Sequence, residues 1–325
     1  MWRDVNEAEF LATVDVAAET LDIQPLAVEK DYWVCQALHA IVSQYPGQTI
    51  FKGGTSLEKL GLIRRFSEDL DLLVVTQYET EKAAKRALKG MCQAAAAATS
   101  FPEKDPKSGG VLGAHHRRAY LQPPLQRRVD DASAIADANS VLVELGQSGG
   151  PHPARPHMVT SMLAQQLADA GQDLALYADL APFSVDILHP GRTLLEKLLR
   201  VNNFAHDPDA AAVHGWSRIG RQFYDIWALL GNDDVKDLLA DSDLVQMILL
   251  SCYEVSEAFT RDYPPPTGGF ANSLVFAPQG RHAARLRTEH DKAMRELYYG
   301  NTPAPTFDDV VARVAEHATL LRCGQ

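Results

Sequence analysis

Thr49-Ile50-Phe51-Lys52-Gly53-Gly54-Thr55-Ser56-Leu57-Glu58-Lys59, followed after a short connection by Ser67-Glu68-Asp69-Leu70-Asp71-Leu72-Leu73-Val74-Val75, decides how this chain is read. Thr49-Ile50-Phe51 is short, β-branched and aromatic, which predicts a strand. It runs straight into a Gly-Gly turn, and the residues from Thr55 to Leu60 open a helix from that turn. Asp69 to Val75 alternates and then turns wholly apolar, which predicts a strand entering a core.

The chemistry follows from that order of elements. Two carboxylates at i and i+2 of a strand share one face. Held together they repel, and each raises the other's pKa unless a cation lies between them. A divalent ion, Mg²⁺ or Mn²⁺, resolves this, because such ions take hard oxygen ligands from one or two carboxylates and from substrate phosphates. Upstream, glycines at Gly53 and Gly54 let the backbone approach an anion, and a helix start offers free N–H groups. Taken singly, Gly-Gly before a helix is most often only a turn, and Asp-x-Asp at a strand start most often a solvated or capping pair. Together, in strand–turn–helix–strand order, they suit the binding of a nucleoside triphosphate.

Outward from this centre, residues 5–22 predict an amphipathic helix broken at Pro25, and a second helix runs from about Ala27 to Ser43. Glu79 to about Ala98 is Ala-rich and helical, and 101–113 reads as a loop rich in Pro, Lys and Gly. Strands are expected around Arg118-Ala119-Tyr120-Leu121 and Val141 to Leu145. A loop follows from Gly146 to Pro156, then a helix from Met158 to Ala170 and a strand at Val185-Asp186-Ile187-Leu188. From Arg192 onward the pattern is helical, interrupted by Pro264-Pro265-Pro266 and by Pro303 to Pro305. The organisation expected is a strand-and-helix domain over 1–190 and a helical domain over 191–325.

The bulk properties narrow the function. Composition is ordinary for a globular protein, and no apolar run approaches the ~20 residues that cross a bilayer. Cys35, Cys92, Cys252 and Cys323 are scattered without metal-site spacing, which predicts reduced thiols in a cytoplasmic protein without membrane attachment. The net charge of −11 removes global basicity as an argument for nucleic acid, leaving only local patches. The densest are His115-His116-Arg117-Arg118 with Arg127-Arg128, and Arg281 to Arg295; each is either an RNA track or a solvated face.

Phe51 to Lys59 together with Gly61-Leu62-Ile63-Arg64-Arg65-Phe66-Ser67-Glu68-Asp69-Leu70-Asp71-Leu72 resembles the signature of the AbiEii/AbiGii-type toxins. These are nucleotidyltransferases of the DNA polymerase β superfamily that belong to type IV toxin–antitoxin and phage-defence (abortive infection) pairs. Glu29-Lys30-Asp31-Tyr32 resembles the family's early helix, Val143-Glu144-Leu145-Gly146 its third core strand, Val185 to Lys197 the approach to its motif lysine, and Arg221-Gln222-Phe223-Tyr224-Asp225-Ile226 its Arg-x-x-Tyr-Asp-Leu motif. The sequence departs from the commoner pattern at Gly191, where an acidic residue often stands, and at Gln222, where His is frequent.

The resemblance implies an α+β fold: a polymerase β-like domain with a mixed sheet flanked by helices, then a helical domain contributing Lys197 and Asp225 to the active-site cleft. It implies that Asp69 and Asp71, with Glu144 as a third carboxylate, hold Mg²⁺ or Mn²⁺. Gly53, Gly54, Thr55, Ser56, Lys59, Lys197 and Arg221 would bind the nucleotide, with Lys197 on phosphate and Asp225 catalytic or positioning. Ser67 is a candidate for regulatory phosphorylation, or else a turn serine. The implied activity transfers NMP from an NTP to an acceptor, foremost the 3′ end of tRNA or another RNA, blocking translation under control of a cognate antitoxin. Modification of a protein hydroxyl or small molecule, and non-catalytic nucleotide binding beside an antitoxin, are the alternatives.

Overall fold

The computed structural model describes residues 1–5, 7–99, 115–128, 135, 138–147, 150–206, 216–256, 263–277, 279–280, 282–300 and 302–323. The fold is α+β, with a six-stranded mixed sheet and a mainly helical remainder. It divides into two compact units: Met1–Leu60 with Phe66–Gln147 and Ala154–Ile187, and Gly61–Arg65 with Ser148–Pro153 and Leu188–Gln325.

The first unit opens with α1 (Trp2–Val5), α2 (Glu7–Leu21) and α3 (Pro25–Gln44). Pro25 stands in the first turn of α3 instead of merely ending α2, a position where its fixed φ and missing N–H cost nothing. There follow β1 (Thr49–Lys52), α4 (Gly53–Lys59), β2 (Leu70–Val74), α5 (Glu81–Ala98), β3 (His116–Leu121), β4 (Val141–Gly146), β5 (Ala154–Val159), α6 (Met162–Asp169) and β6 (Phe183–Leu188). The sheet order is β3-β4-β2-β1-β6-β5. β1 runs antiparallel to β2 and parallel to β6, while β4 is parallel to β2 and antiparallel to β3. α3 and α5 pack on each other, with α3 touching β4 and α5 touching β3. Leu38, Ile41, Leu88, Met91, Val143 and Leu145 contribute to the buried core.

β5 corrects two expectations at once, a loop up to Pro156 and a helix from Met158. Pro156 hides the strand in the sequence, yet β5 is an edge strand, where a missing N–H removes no ladder bond that the sheet needs. The helix starts only at Met162, capped by the Ser161 hydroxyl. β2 begins at Leu70, so Ser67 and Asp69 lie in the connection before the strand and not on its face. The expected loop at 101–113 falls outside the described residues.

In α3, Glu29, Lys30, Asp31 and Tyr32 are consecutive, polar and completely buried. Successive helix positions point about 100° apart, so the four reach four different segments. Glu29 accepts from the backbone N–H groups of Gln126 and Arg127, Lys30 pairs with Glu68 at 2.8 Å, Asp31 pairs with Lys59 and accepts from Met162 N–H at 2.6 Å, and Tyr32 donates to Asp179 at 2.8 Å. Asp179 also accepts from the Trp2 N–H, anchoring the start of the chain.

The second unit comprises α7 (Pro190–His206), α8 (Ser217–Leu230), α9 (Asp233–Ala240), α10 (Ser242–Ser256), α11 (Ala283–Leu297) and α12 (Phe307–Glu316). α8 is central and packs on α7, α11 and α12. Phe223 meets Phe307 and Phe276 edge-on, and Phe270 and Phe276 are buried in short 3₁₀ turns. Thr306 and Asp309 cap α12 reciprocally. None of the four cysteines forms a disulfide.

Candidate active site

Registers across four strands set Lys52 opposite Asp71, Asp71 opposite Glu144, and Glu144 opposite Arg118. Directly opposed residues share a sheet face, so a cation, two carboxylates and a second cation line up across β1, β2, β4 and β3. Leu70, Leu72, Val143 and Leu145 alternate with them and are buried, whereas Asp69, Asp71 and Glu144 keep part of their surface open.

The two central acids are strongly unequal. Burial, reinforced by the neighbouring charges of Glu144 and Asp69, pushes the Asp71 carboxyl well above the ordinary range, with Lys52 acting the other way. Burial would also raise Glu144, but the Arg118 charge and a hydrogen bond from Asp71 hold it below. Asp71 and Glu144 are hydrogen-bonded to each other, and Glu144 forms an ion pair with Arg118 on its other side. Metal ligation is compatible with this pairing, because carboxylates near enough to hydrogen-bond to each other are near enough to share a cation. Asp69, Asp71 and Glu144 offer only hard oxygen donors, which fits Mg²⁺ or Mn²⁺. Among the described residues no three His, Cys, Asp or Glu side chains are arranged as they stand to enclose a metal ion.

The glycine turn lies directly against these acids. Gly53 has φ +82°, and a Cβ built there would stand 2.3 Å from the Asp71 Oδ2. Any side chain would both strain the backbone and collide with the carboxylate. Gly53→Ala is accordingly expected to lower the melting temperature by several degrees and nucleotidyl transfer by at least roughly tenfold. Thermal denaturation followed by a transfer assay checks both; a variant with unaltered turnover would detach the turn from the site.

The hydroxyls after the turn point inward. Thr55 donates to the Asp69 carbonyl at 2.6 Å and Ser56 to the Gly53 carbonyl at 2.9 Å. Lys59 is buried and paired with Asp31 and with Glu58 at 3.0 Å. These contacts hold the turn in shape. Sequence reasoning missed Lys52, which flanks Asp71, and Lys30, which grips Glu68 beside Asp69; an isolated lysine near a turn carries no signal by itself. Arg118, which the sequence left open as part of an RNA track or of a solvated face, pairs with Glu144. Arg127 pairs with Asp15, Arg285 stacks 3.6 Å above Trp216 and Arg287 pairs with Asp308, while Arg281 lies outside the described residues. Ser67 is buried, at 7% exposure, in the connection before β2.

In the helical unit, Asp225 is fully buried and receives both Nε and Nη2 of Arg65 at 2.6 Å. Lys197 Nζ lies 2.7 Å from the same carboxylate and donates to the Gln222 side-chain carbonyl at 3.0 Å. Asp225, Arg65 and Lys197 thus form a buried triad. Burial would raise Asp225, yet two cations hold it below the ordinary carboxylate range; burial lowers Lys197 against the pull of Asp225. Arg221 is itself nearly buried. Gly191 is matched to its surroundings, because an added Cβ would press on Leu238 at 3.0 Å.

A mixed sheet carrying a Gly-Gly-Thr-Ser turn against paired acids, with a helical part after it, has the organisation of a nucleotidyltransferase. The family model described as nucleotidyl transferase AbiEii toxin, type IV toxin–antitoxin system, matches residues 36–313 of the 325, and the chain belongs to that family. Comparison with individually curated proteins returned no match.

Proposed function

We propose that this protein transfers NMP from an NTP to the 3′ end of an RNA, foremost tRNA, and so arrests translation when its antitoxin is absent. The observation that carries this reading is the seating of the Gly53 backbone against Asp71, beside the Asp71–Glu144 pair. A backbone turn suited to phosphate and a cluster of oxygen ligands suited to a divalent ion are thereby one site. Asp69, Asp71 and Glu144 would hold Mg²⁺ or Mn²⁺, which when bound supplies charge stabilisation at the transferring phosphoryl group.

The chain's own residues do the rest. Gly53 and Gly54 present backbone to the triphosphate, and Thr55 and Ser56 keep that backbone in place. Thr55 and Lys30 fix the segment bearing Asp69 from two directions. Lys52 offsets charge at the far side of Asp71. Lys197 serves the phosphate role that the family resemblance implies, with Asp225 as its positioning residue. An RNA acceptor is supported by the family's toxin role, since translation arrest by nucleotidyl transfer calls for an acceptor in the translation apparatus.

Purified protein incubated with each α-³²P NTP, total RNA and total protein tests this directly. Label is expected in RNA, dependent on Mg²⁺ or Mn²⁺, and suppressed by the cognate antitoxin. Label in protein or in a small molecule would replace RNA as the acceptor, and NTP binding without any transfer would reduce the protein to a nucleotide-binding partner.

A further inference from the structure

Arg118 is the member of the charged row for which the proposed chemistry gives no task. Its guanidinium pairs with Glu144 Oε1 while Asp71 bonds to the same carboxylate, so Glu144 is engaged in both directions. The side chains of Arg118 and Glu144 are 38% and 26% exposed, and pairs this open to water contribute little to stability. Exchange of one partner for another is therefore cheap. Lys52 closes the other end of the row, and His116, two residues before Arg118 on β3, shares the face. A dication entering alone meets acids that are already compensated by positive charge. A dication entering with a triphosphate brings its own negative charge, and a guanidinium matches phosphate oxygens with paired donors.

We propose that Arg118 is a resident counter-ion of Glu144 which a divalent cation must displace, so that cation binding stays weak until a triphosphate arrives to engage the freed guanidinium. The proposal rests on the assignment of Glu144 and Asp71 to a cation site. It makes Arg118 the residue that couples the two ligands: whatever holds the guanidinium away from Glu144 tightens the cation, and by reciprocity the cation tightens the triphosphate.

Mn²⁺ affinity, measured by electron paramagnetic resonance of the free ion with and without a non-hydrolysable NTP analogue, tests this independently of turnover. In the unaltered protein the analogue is expected to tighten Mn²⁺ binding. Arg118→Ala is expected to bind Mn²⁺ alone roughly fivefold or more tightly than the unaltered protein, with the enhancement by the analogue reduced by a similar factor. Arg118→Lys should restore most of the original behaviour. Adding Glu144→Gln to Arg118→Ala should erase the gain. Equal or weaker Mn²⁺ binding by a folded Arg118→Ala, checked by circular dichroism, overturns the proposal and makes Arg118 a residue that orients Glu144. Asp71→Asn separates the two claims: if it binds Mn²⁺ as the unaltered protein does, the cation site itself is lost and the counter-ion role with it.

Discussion

Asp71→Asn is expected to cut nucleotidyl transfer by about a thousandfold or more while leaving the melting temperature unchanged or raised. The loss follows from removing a ligand oxygen and its charge where phosphoryl charge is stabilised; about 4 kcal/mol of barrier corresponds to that factor. The thermal result follows from the other side of the same arrangement. Burial and two neighbouring acids push Asp71 up, so its ionised form opposes folding near neutral pH. An amide of nearly the same shape removes the repulsion and can still donate to Glu144. Paired transfer and calorimetry measurements check the prediction, and the combination matters. Lost activity with a collapsed melting transition would mean that Asp71 holds the fold together, and retained activity would remove it from the chemistry.

Asp225→Asn, by contrast, is expected to cost stability, by about 3–5 kcal/mol. Arg65 and Lys197 are buried with this carboxylate, and truncating one member of a buried ion cluster leaves the remaining charge uncompensated. In a unit of this size that corresponds to a fall in melting temperature of about 10 °C. The sign of the pH dependence is fixed as well. Because the folded-state pKa of Asp225 lies below its ordinary value, its contribution is complete above the ordinary carboxylate range and fades as pH falls through the folded-state value. The variant's stability deficit should therefore shrink on acidification, which urea titrations at pH 7 and near pH 3 would reveal. A deficit under 1 kcal/mol at pH 7 would contradict the triad's role.

The sequence carried the centre of this molecule better than its margins. β1, the glycine turn and β2 were legible because strand periodicity, glycine punctuation and an i, i+2 acid pair are local signals. β5 was illegible because Pro156 argues against a strand unless its edge position is known, and edge position is a property of the whole sheet. Among the candidate site residues, Asp69 and Asp71 stood out by their i, i+2 spacing, and Glu144 through the family resemblance. Lys52 and Arg118 did not, since a cation beside an acid in space can be 19 or more residues away in sequence, as Lys52 and Asp71 are. Arg65 was quoted as part of a motif without a role, because its partner Asp225 is 160 residues distant.

The four polar residues buried in α3 have a consequence for how the chain is made. Their partners lie progressively downstream, at Lys59, Glu68, Gln126, Met162 and finally Asp179. A nascent chain that has emerged only to residue 150 holds Tyr32 without its acceptor and Asp31 with one partner missing. Leaving such groups dry and unmatched is costly, so α3 has to stay wet and loosely held until synthesis has passed residue 179. The acids of β2 and β4 are thus translated before the last of the partners that α3 needs.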